Sequence, residues 1–421
     1  MAEATEPGGY FVANYPPFER WTADAVPQVK AAFAAEPSDA PLGLYLHIPF
    51  CRKRCKFCYF RVYTDKSAAD VERYSQALGR EAELAAREPA VGGRPLSYVY
   101  FGGGTPSFLG VRQLERLVER LRESFRWDRA GEVTFECEPG TLTKPKVLAL
   151  RDLGMTRISL GVEHFDDRVL EENGRAHRSA EIHRAWEWIQ RAGFPSTNVD
   201  LIAGMVGDTR ETWEQTVDAT LALGADSVTI YQMELPANTT LVHDWKATGA
   251  PPNVADWDTK RSWVDHAFDR FIEAGYSISS GYTLVRSPEV TFRYRDMLWE
   301  GSDLVALGVA SFGHLSGFHY QNSSRWDDYL SAVESGSLPL ARGLAVSPRE
   351  RLLRETVLGL KRGWLDVDRL AAKYGEHPLE VWPAVWQSLT RDGFLETARP
   401  TPRLSRPGLL QVDALVRRFF P

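Results

Sequence analysis

Short runs of β-branched and apolar residues alternate with longer helical patterns along most of the first 280 residues. The short runs predict seven strands, at Leu42–His47, Leu96–Phe101, Glu132–Glu136, Arg157–Gly161, Ser196–Leu201, Ser227–Gln232 and Ser277–Tyr282. Apolar residues recur at helical spacing in the segments between them, at Gly110–Phe125, Ala180–Ala192 and Glu211–Leu223. Repeated strand–helix units predict an α/β fold with a parallel sheet that is curved or closed into a barrel. Functional groups should then gather at the C-terminal ends of the strands.

The pattern changes after Tyr282, where a polar and aromatic stretch leads to the apolar run Leu304–Ala310. A helical module follows, with helices predicted at Arg349–Leu360, Asp366–Tyr374 and Val381–Arg391. A short strand pair around Gly393-Phe394-Leu395 would make this module a small winged-helix-like domain. We therefore divide the chain into an N-terminal extension, a partial barrel, a connecting region that closes the barrel and a C-terminal domain, at residues 1–40, 41–285, 286–345 and 346–421.

Composition and charge narrow the class of protein. The 421 residues are 43% hydrophobic and 25% charged, which are values of an ordinary folded protein and not of a disordered or fibrous one. The formal net charge of −6 argues against a general nucleic-acid binder. We find neither an apolar run of membrane-spanning length nor a signal-peptide pattern at the start. The expectation is a cytoplasmic protein without membrane or nucleic-acid partners.

Three of the four cysteines, Cys51, Cys55 and Cys58, lie within eight residues. In a cytoplasmic protein such a cluster indicates metal or redox chemistry. Thiolates spaced C-x3-C-x2-C can hold three irons of a [4Fe–4S] cluster and leave the fourth open to an amine and a carboxylate. The alternative is a zinc site with His47 as the fourth ligand. The remaining cysteine, Cys137, lies in an apolar run and is predicted to be a buried strand residue.

Several motifs carry a family resemblance. They are Tyr45-Leu-His-Ile-Pro-Phe-Cys51, Phe101-Gly-Gly-Gly-Thr-Pro106, Glu136-Cys-Glu-Pro139, Ile158-Ser-Leu-Gly-Val-Glu-His-Phe165 and Val199-Asp-Leu-Ile-Ala-Gly204. Together they resemble the radical S-adenosylmethionine (SAM) superfamily, and more closely its oxygen-independent coproporphyrinogen III dehydrogenase-like, or HemN-like, branch. The resemblance implies a partial (β/α)6 barrel, a HemN-like C-terminal domain, one [4Fe–4S] cluster and two bound SAM molecules.

The resemblance also assigns residues to the two ligands. Positions that contact the cluster-bound SAM correspond to Tyr45, Gly103, Glu136 and Phe312. Positions around the second SAM correspond to Phe57, Gly104, Thr105, Arg175, Asp200 and Met233. The residue types agree with these roles, since glycines admit a ligand close to the backbone and arginine suits a carboxylate. For Asp200 alone, a strand-end carboxylate that satisfies a neighbouring backbone is an equal alternative.

Two departures from the family pattern lie near the predicted ligands. Glu163 and His164 replace the usual glutamine and its neighbour, which places a charge and an imidazole beside the second ligand. After Cys58 the chain continues with Tyr59 and Phe60, which would line the pocket and stack on a planar substrate or else pack in the core. We therefore take Tyr59, Glu163 and His164 as the catalytic candidates on the substrate side.

The expected function is a radical SAM enzyme acting on a small molecule. In the first hypothesis, a 5′-deoxyadenosyl radical removes hydrogen from the methyl group of the second SAM, and the methylene radical methylates or cyclopropanates an sp2 carbon. The alternatives are coproporphyrinogen III dehydrogenase and a heme chaperone like HemW. Expected partners are a reductant of the flavodoxin or ferredoxin type, drawn to the basic run at residues 52–56, and a methyltransferase that completes ring closure.

Overall fold

The computed structural model describes residues 4–396 and 401–421, and within them twelve strands form one mixed sheet. The strands are β1 (Leu42–Ile48), β2 (Leu96–Gly103), β3 (Val133–Cys137), β4 (Arg157–Glu163), β5 (Ser196–Ala203), β6 (Ser227–Gln232), β7 (Ser277–Ile278), β8 (Thr283–Val285), β9 (Asp303–Leu307), β10 (Phe312–Leu315), β11 (Phe318–Asn322) and β12 (Leu340–Ala345). Their order across the sheet is β12-β11-β10-β9-β1-β2-β3-β4-β5-β6-β8-β7.

Seven neighbouring strands of the sheet are parallel, from β9 through β1 to β6. Strands β1 to β6 are each followed by at least one helix, as a parallel connection requires. The prediction of an α/β fold built on a partial (β/α)6 barrel is therefore confirmed. Because all six strands point the same way, their C-terminal ends and the loops that follow lie along one edge.

Helices cover the outer face of the sheet and build the C-terminal module. They are α1 (Val26–Phe33), α2 (Ala68–Ala86), α3 (Val111–Ser124), α4 (Lys144–Asp152), α5 (Asp167–Glu172), α6 (Ser179–Ala192), α7 (Arg210–Leu223), α8 (Thr240–Thr248), α9 (Trp257–Glu273), α10 (Arg293–Trp299), α11 (Trp326–Glu334), α12 (Pro348–Leu360), α13 (Val367–Tyr374), α14 (Pro378–Val381), α15 (Pro383–Arg391), α16 (Arg406–Leu410) and α17 (Val412–Val416). Of the described residues, no helix is both long and apolar enough to cross a membrane.

Local sequence explains where the barrel helices begin and end. Ser67 caps the start of α2 with a complete capping box, and Thr209 does the same for α7. Gly193 and Gly224 end α6 and α7 in the left-handed conformation that glycine adopts without strain. The three helices predicted from apolar spacing in this region are confirmed.

The side chains of β4 alternate between the hydrophobic core outside the sheet and the polar interior of the barrel. Ile158, Leu160 and Val162 are buried in the main hydrophobic core, between the sheet and the helices. Ser159 and Glu163 alternate with them and lie on the inner side, where polar groups collect. The candidate site is therefore built from the inner side chains at the C-terminal ends of the strands.

The predicted strand Ser277–Tyr282 is wrong as one continuous strand. The Oγ of Ser280 accepts hydrogen bonds from the backbone N–H groups of Tyr282 and Thr283, which forms a turn and divides the segment into the short antiparallel strands β7 and β8. The seventh parallel strand is instead β9, from the apolar run after residue 303, and it pairs with β1.

A second hydrophobic core holds the C-terminal module together and includes Val12 and Tyr15 from the N-terminal segment. Helix α13 is as predicted, whereas Val381–Arg391 forms the end of α14 and then α15, which begins at Pro383. The predicted strand pair is represented by the single antiparallel bridge Leu395↔Leu404. Residues 1–3 and 397–400 of the predicted domains lie outside the described residues.

Candidate functional site

The cysteine loop follows β1 at the C-terminal edge of the barrel. Hydrogen bonds from Cys51 N to Tyr63 O (3.0 Å) and from Tyr63 N to Pro49 O (2.7 Å) close the base of this loop. Within it, Cys58 N donates to Cys55 O at 3.1 Å. The three cysteines carry free, partly exposed thiols. The loop therefore presents three sulfur atoms to one region of the site.

Two side chains from other loops, one after β2 and one after α5, reach these sulfurs. Thr105 Oγ1 donates to Cys51 Sγ, and Arg175 Nη1 donates to Cys55 Sγ, both at 3.4 Å. Burial raises the pKa of the Cys51 thiol to about 12 and that of the Cys58 thiol to about 11, and the neighbouring thiols add to both shifts. A metal must displace these protons to bind, as in other thiolate sites.

The donor set fits an iron–sulfur cluster better than zinc. Both ring nitrogens of His47 lie 3.4 Å from other groups, Nδ1 from the Tyr45 hydroxyl and Nε2 from the Arg61 carbonyl. This engagement argues against His47 as a fourth zinc ligand. No three His, Cys, Asp or Glu side chains of the described residues are gathered around a single ion position. The thiols of Cys51, Cys55 and Cys58 are the residues that would hold a [4Fe–4S] cluster.

The glycine-rich turn after β2 fits closely between the cysteine loop and the next strand. Gly103 has a φ of +111°, and a Cβ there would lie 2.6 Å from the His47 ring. A Cβ at Gly104 would lie 2.9 Å from Ile48 O. The backbone N–H of Gly103 donates to Glu136 Oε2 at 3.2 Å. This turn has room for glycine only, which leaves backbone exposed to a ligand.

Three carboxyl groups lie at the ends of β3, β4 and β5. Glu136 accepts from the Tyr100 hydroxyl at 2.6 Å, and Asp200 accepts from Ser159 Oγ at 2.7 Å and Asn198 Nδ2 at 2.9 Å. Burial raises the pKa of Glu136 and of Glu163 to about 7, and the charge of Asp200 adds to both shifts. The three carboxyl groups thus share one poorly solvated space, which suits a cationic ligand.

Arg175 links the acidic group to the cysteine loop. Its Nη2 donates to Gly161 O at 2.6 Å and lies 3.6 Å from Glu163 Oε1, while Nη1 reaches Cys55. Behind it, His177 Nδ1 lies 3.1 Å from Glu138 Oε1. Although burial opposes the shift, the His177 hydrogen bond and the charge of Arg175 lower the pKa of Glu138 to about 2.

Asp200 is held by side chains and not by a neighbouring backbone group, so the alternative structural role given to it above is not what the fold shows. Sequence reasoning missed the residues that support the carboxylates, namely Tyr100, Ser159 and Asn198. Strand alternation was the signal that could have found them. Side chains two residues apart on a strand face the same side, so Ser159 shares the inner face of β4 with Glu163, and Asn198 shares that of β5 with Asp200.

His164 does not reach the candidate site, so its predicted catalytic role is wrong. It is fully buried in the helix layer, where Nε2 lies 3.1 Å from Asp208 Oδ1 and Nδ1 accepts from Asp166 N at 3.0 Å. The alternation along β4 explains this position, since Glu163 faces inward and the next residue must face outward. His164 fixes the loop after β4 instead.

Tyr59 and Phe60 are not core residues. Their side chains are 46% and 43% exposed, and their rings stack with centroids 4.6 Å apart. The amide of Asn238 donates to Tyr59 O at 3.0 Å and links this part of the loop to the segment after β6. This exposure argues against core packing, and the role of the two rings as a pocket wall stays a prediction.

The remaining predicted contacts are distributed around the site. Tyr45 stacks on Tyr100, with ring centroids 5.9 Å apart. Met233 is buried in a small hydrophobic cluster against which Phe57 packs. Phe312 lies at the start of β10, where its ring is 4.4 Å from that of Phe18. The roles of these residues in binding SAM stay predictions.

The basic run of the cysteine loop is partly structural. Arg52 lies 3.2 Å from Glu138 and donates to Ala176 O, and Arg54 donates to Cys58 O. These contacts hold the loop against its neighbours, while Lys53 stays exposed. Docking of a reductant at this run stays a prediction.

Glu136→Ala is expected to slow SAM cleavage at least about tenfold. The substitution leaves Tyr100 OH and Gly103 N without their shared acceptor, and each lost hydrogen bond to a charged group is worth roughly 1.5–3 kcal/mol. The measurement is the initial rate of 5′-deoxyadenosine release under dithionite. Gly103→Leu should act in the same direction, whereas the exposed Glu119→Ala should match wild type. Wild-type rates in both site variants would refute the assignment of the first ligand.

The comparisons with known proteins agree with this geometry. A family model described as the radical SAM superfamily matches residues 45–220. The chain is 28% identical over 331 residues to an oxygen-independent coproporphyrinogen III oxidase of Synechocystis sp., covering 76% of this chain and 70% of the relative. It is 29% identical over 334 residues to the heme chaperone HemW of Synechocystis sp., covering 76% and 78%. The solved structure of coproporphyrinogen III oxidase (HemN) from Escherichia coli has the same fold, with a TM-score of 0.84, 23% identity and coverage of 97% of this chain and 96% of that one.

Proposed function

We propose that this chain is a member of the HemN-like branch of the radical SAM superfamily and that it is an enzyme that abstracts a hydrogen atom from a bound substrate. When bound at the three thiols, a [4Fe–4S] cluster supplies the electron that cleaves SAM to methionine and a 5′-deoxyadenosyl radical. The observation that carries the proposal is the arrangement of three thiols, the Gly103 turn and Glu136 at one edge of the barrel.

The first SAM is proposed to lie between the cysteine loop and Glu136. Both oxygens of the Glu136 carboxylate already accept one hydrogen bond, from Tyr100 and from Gly103, which fixes the orientation of the group. Each oxygen retains a lone pair for an ammonium or hydroxyl group of the ligand. The role of these residues is thus to position the ligand beside the cysteine loop.

A second SAM is proposed next to Arg175 and Asp200. The Asp200 carboxylate, held by Ser159 and Asn198, suits ribose hydroxyls or an ammonium group. Arg175 suits the ligand carboxylate, but Glu163 lies 3.6 Å from its guanidinium and competes for it. This competition is the consequence of glutamate at a position where the family usually has glutamine.

Two reactions are candidates for the step after hydrogen abstraction. The relatives named above are an oxidase and a chaperone, and the name of the oxidase favours the oxidation of coproporphyrinogen III as the first candidate. One-carbon transfer from the second SAM is the second candidate, and the placement of Arg175 close enough to Asp200 for their charges to interact favours it. Heme delivery, as in the chaperone, would require heme binding in place of turnover.

Methyl-deuterated SAM separates the candidates. If the second SAM donates carbon, we expect deuterium in the released 5′-deoxyadenosine, because a hydrogen leaves the methyl group before the carbon is transferred. Arg175→Ala and Asp200→Ala should then reduce product formation at least about tenfold more than SAM cleavage. Mass spectrometry of 5′-deoxyadenosine and a heme titration of the same preparation provide the measurements.

The outcomes of this experiment differ clearly. Conversion of coproporphyrinogen III with unlabelled 5′-deoxyadenosine would contradict one-carbon transfer and support the oxidase reaction. Stoichiometric heme binding without 5′-deoxyadenosine release would contradict both enzymatic candidates.

A further inference from the structure

Helix α2 carries a buried carboxyl group that the site described above does not use. The Glu81 side chain is 1% exposed, and its oxygens accept hydrogen bonds from three neutral donors. Gly308 N (2.8 Å) and the Tyr329 hydroxyl (2.7 Å) donate to Oε2, and Asn322 Nδ2 (2.6 Å) donates to Oε1. A carboxylate without a cationic partner is costly to bury, so the fold keeps Glu81 for what these hydrogen bonds hold in place.

The backbone that Glu81 holds is the loop between β9 and β10, residues 308–311, which we call the β9–β10 loop. Strand β9 pairs in parallel with β1, so this loop lies at the same edge of the barrel as the cysteine loop. Ala310 has a φ of +60°, a left-handed conformation that is strained for a residue with a Cβ. Such strain persists only where the surroundings impose it, here through Glu81 and through the hydrogen bond from Ala310 N to Ser323 O at 2.8 Å.

Tyr74, on the same helix, joins the β9–β10 loop to the end of β1. Its hydroxyl donates to His47 O at 2.8 Å and accepts from Val309 N at 3.0 Å. A Cβ at Gly308 would lie 2.7 Å from His47 O, so the loop and the end of β1 are in direct contact. The ring of His47 in turn packs against the Gly103 turn. Helix α2 therefore fixes the β9–β10 loop relative to the start of the cysteine loop and the Gly103 turn.

We propose that Glu81 is a positioning residue for SAM, which holds the β9–β10 loop against His47 and so keeps the cysteine loop and the Gly103 turn in the arrangement that binds the first SAM. Phe312, the residue after the loop, is 37% exposed and is a predicted contact of that ligand, so a shift of the loop would move it as well. This inference rests on the proposed function, because it takes the first SAM to lie between the cysteine loop and Glu136.

Glu81→Ala tests this role by separating affinity from turnover. Without the carboxylate, the β9–β10 loop keeps the binding arrangement for a smaller fraction of the time, and the apparent affinity falls in proportion, whereas saturating SAM restores the arrangement. We therefore expect the KM for SAM in 5′-deoxyadenosine release to rise about tenfold, with kcat changed by less than about twofold and iron content unchanged. A purely structural role predicts the opposite, namely a lower kcat from fewer folded molecules and an unchanged KM.

Two milder variants make the test independent of how well Glu81→Ala folds. Tyr74→Phe removes only the hydroxyl that joins the two segments and should raise KM about fivefold, the effect of one neutral hydrogen bond. Glu81→Gln retains an acceptor for the loop N–H and should recover most of the affinity lost in Glu81→Ala. Glu83→Ala is the matched control on the same helix. Its side chain is 39% exposed and pairs with Arg120, so this variant should match wild type.

Equilibrium dialysis of SAM without reductant measures the same affinities independently of the reaction. Wild-type KM and Kd for SAM in Tyr74→Phe and in folded Glu81→Ala would overturn the positioning role and, with 5′-deoxyadenosine still released, would leave the radical enzyme standing. A raised Kd in both variants, in a protein whose wild type binds SAM and forms no 5′-deoxyadenosine, would support the positioning role and contradict the radical enzyme.

Discussion

The variant with Cys51, Cys55 and Cys58 all replaced by alanine is expected to keep its fold and lose its cluster completely. Wild-type protein reconstituted without oxygen should hold about four irons and four sulfides per chain, because three thiolates on one loop can ligate one cube. The three side chains are partly exposed loop residues, so their removal costs little core packing. Iron and sulfide analysis with visible absorbance measures the loss.

Cys137→Ala is the matched control for this prediction. Cys137 is 5% exposed, lies in β3, and burial raises the pKa of its thiol, so it should neither bind iron nor replace a missing ligand. The control variant should retain full iron content. Zinc in place of iron in anaerobically purified wild type, or a cluster that survives in the triple variant, would contradict the assignment.

Asp413→Ala is expected to destabilise the protein by about 3–5 kcal/mol, the cost of leaving a buried charge without its partner. The partner is Lys361, which is fully buried and lies 2.9 Å from Asp413 Oδ1. Asp413 also accepts from Val12 N at 2.7 Å and from the Tyr282 hydroxyl. This carboxylate therefore connects the N-terminal segment, the barrel and the C-terminal module.

The exposed pair Arg73–Glu334 supplies the control for the stability measurement. Both side chains of this pair are more than two-fifths exposed, so Glu334→Ala should cost at most about 1 kcal/mol. Replacing the buried pair together, as Lys361→Met with Asp413→Leu, should recover much of the loss, because no charge then stays unpaired. Denaturant unfolding compares the four proteins. A loss in Asp413→Ala no larger than in Glu334→Ala would refute the buried pair.

The barrel could be predicted because apolar residues recur at a different spacing in its strands than in its helices. Strand β6 has the predicted bounds, and five others differ by a few residues at their ends. The segment Ser277–Tyr282 failed because a serine hydroxyl competes with strand pairing for backbone N–H groups. Nothing in the apolar run of β9 shows that it pairs with β1, since that contact joins segments about 260 residues apart in the chain.

The site was predictable in its residue types and less so in its geometry. The cysteine spacing identified the thiols, and the family resemblance identified Arg175. The contact between Arg175 and Cys55 spans 120 residues of sequence and depends on how the loop after α5 folds back. His164 could have been excluded by following the alternation along β4. The supporting groups Ser159 and Asn198 lie on the same inner face, which composition alone does not reveal.

The most direct test of the account is the amount of 5′-deoxyadenosine that the reconstituted wild-type protein forms from SAM under dithionite. The triple cysteine variant, carried through the same reconstitution, serves as the blank. We expect time-dependent 5′-deoxyadenosine and methionine from wild type and none above background from the variant. Wild-type protein that holds its full cluster and binds SAM, yet forms no more 5′-deoxyadenosine than the variant, would contradict the assignment of this chain as a radical enzyme.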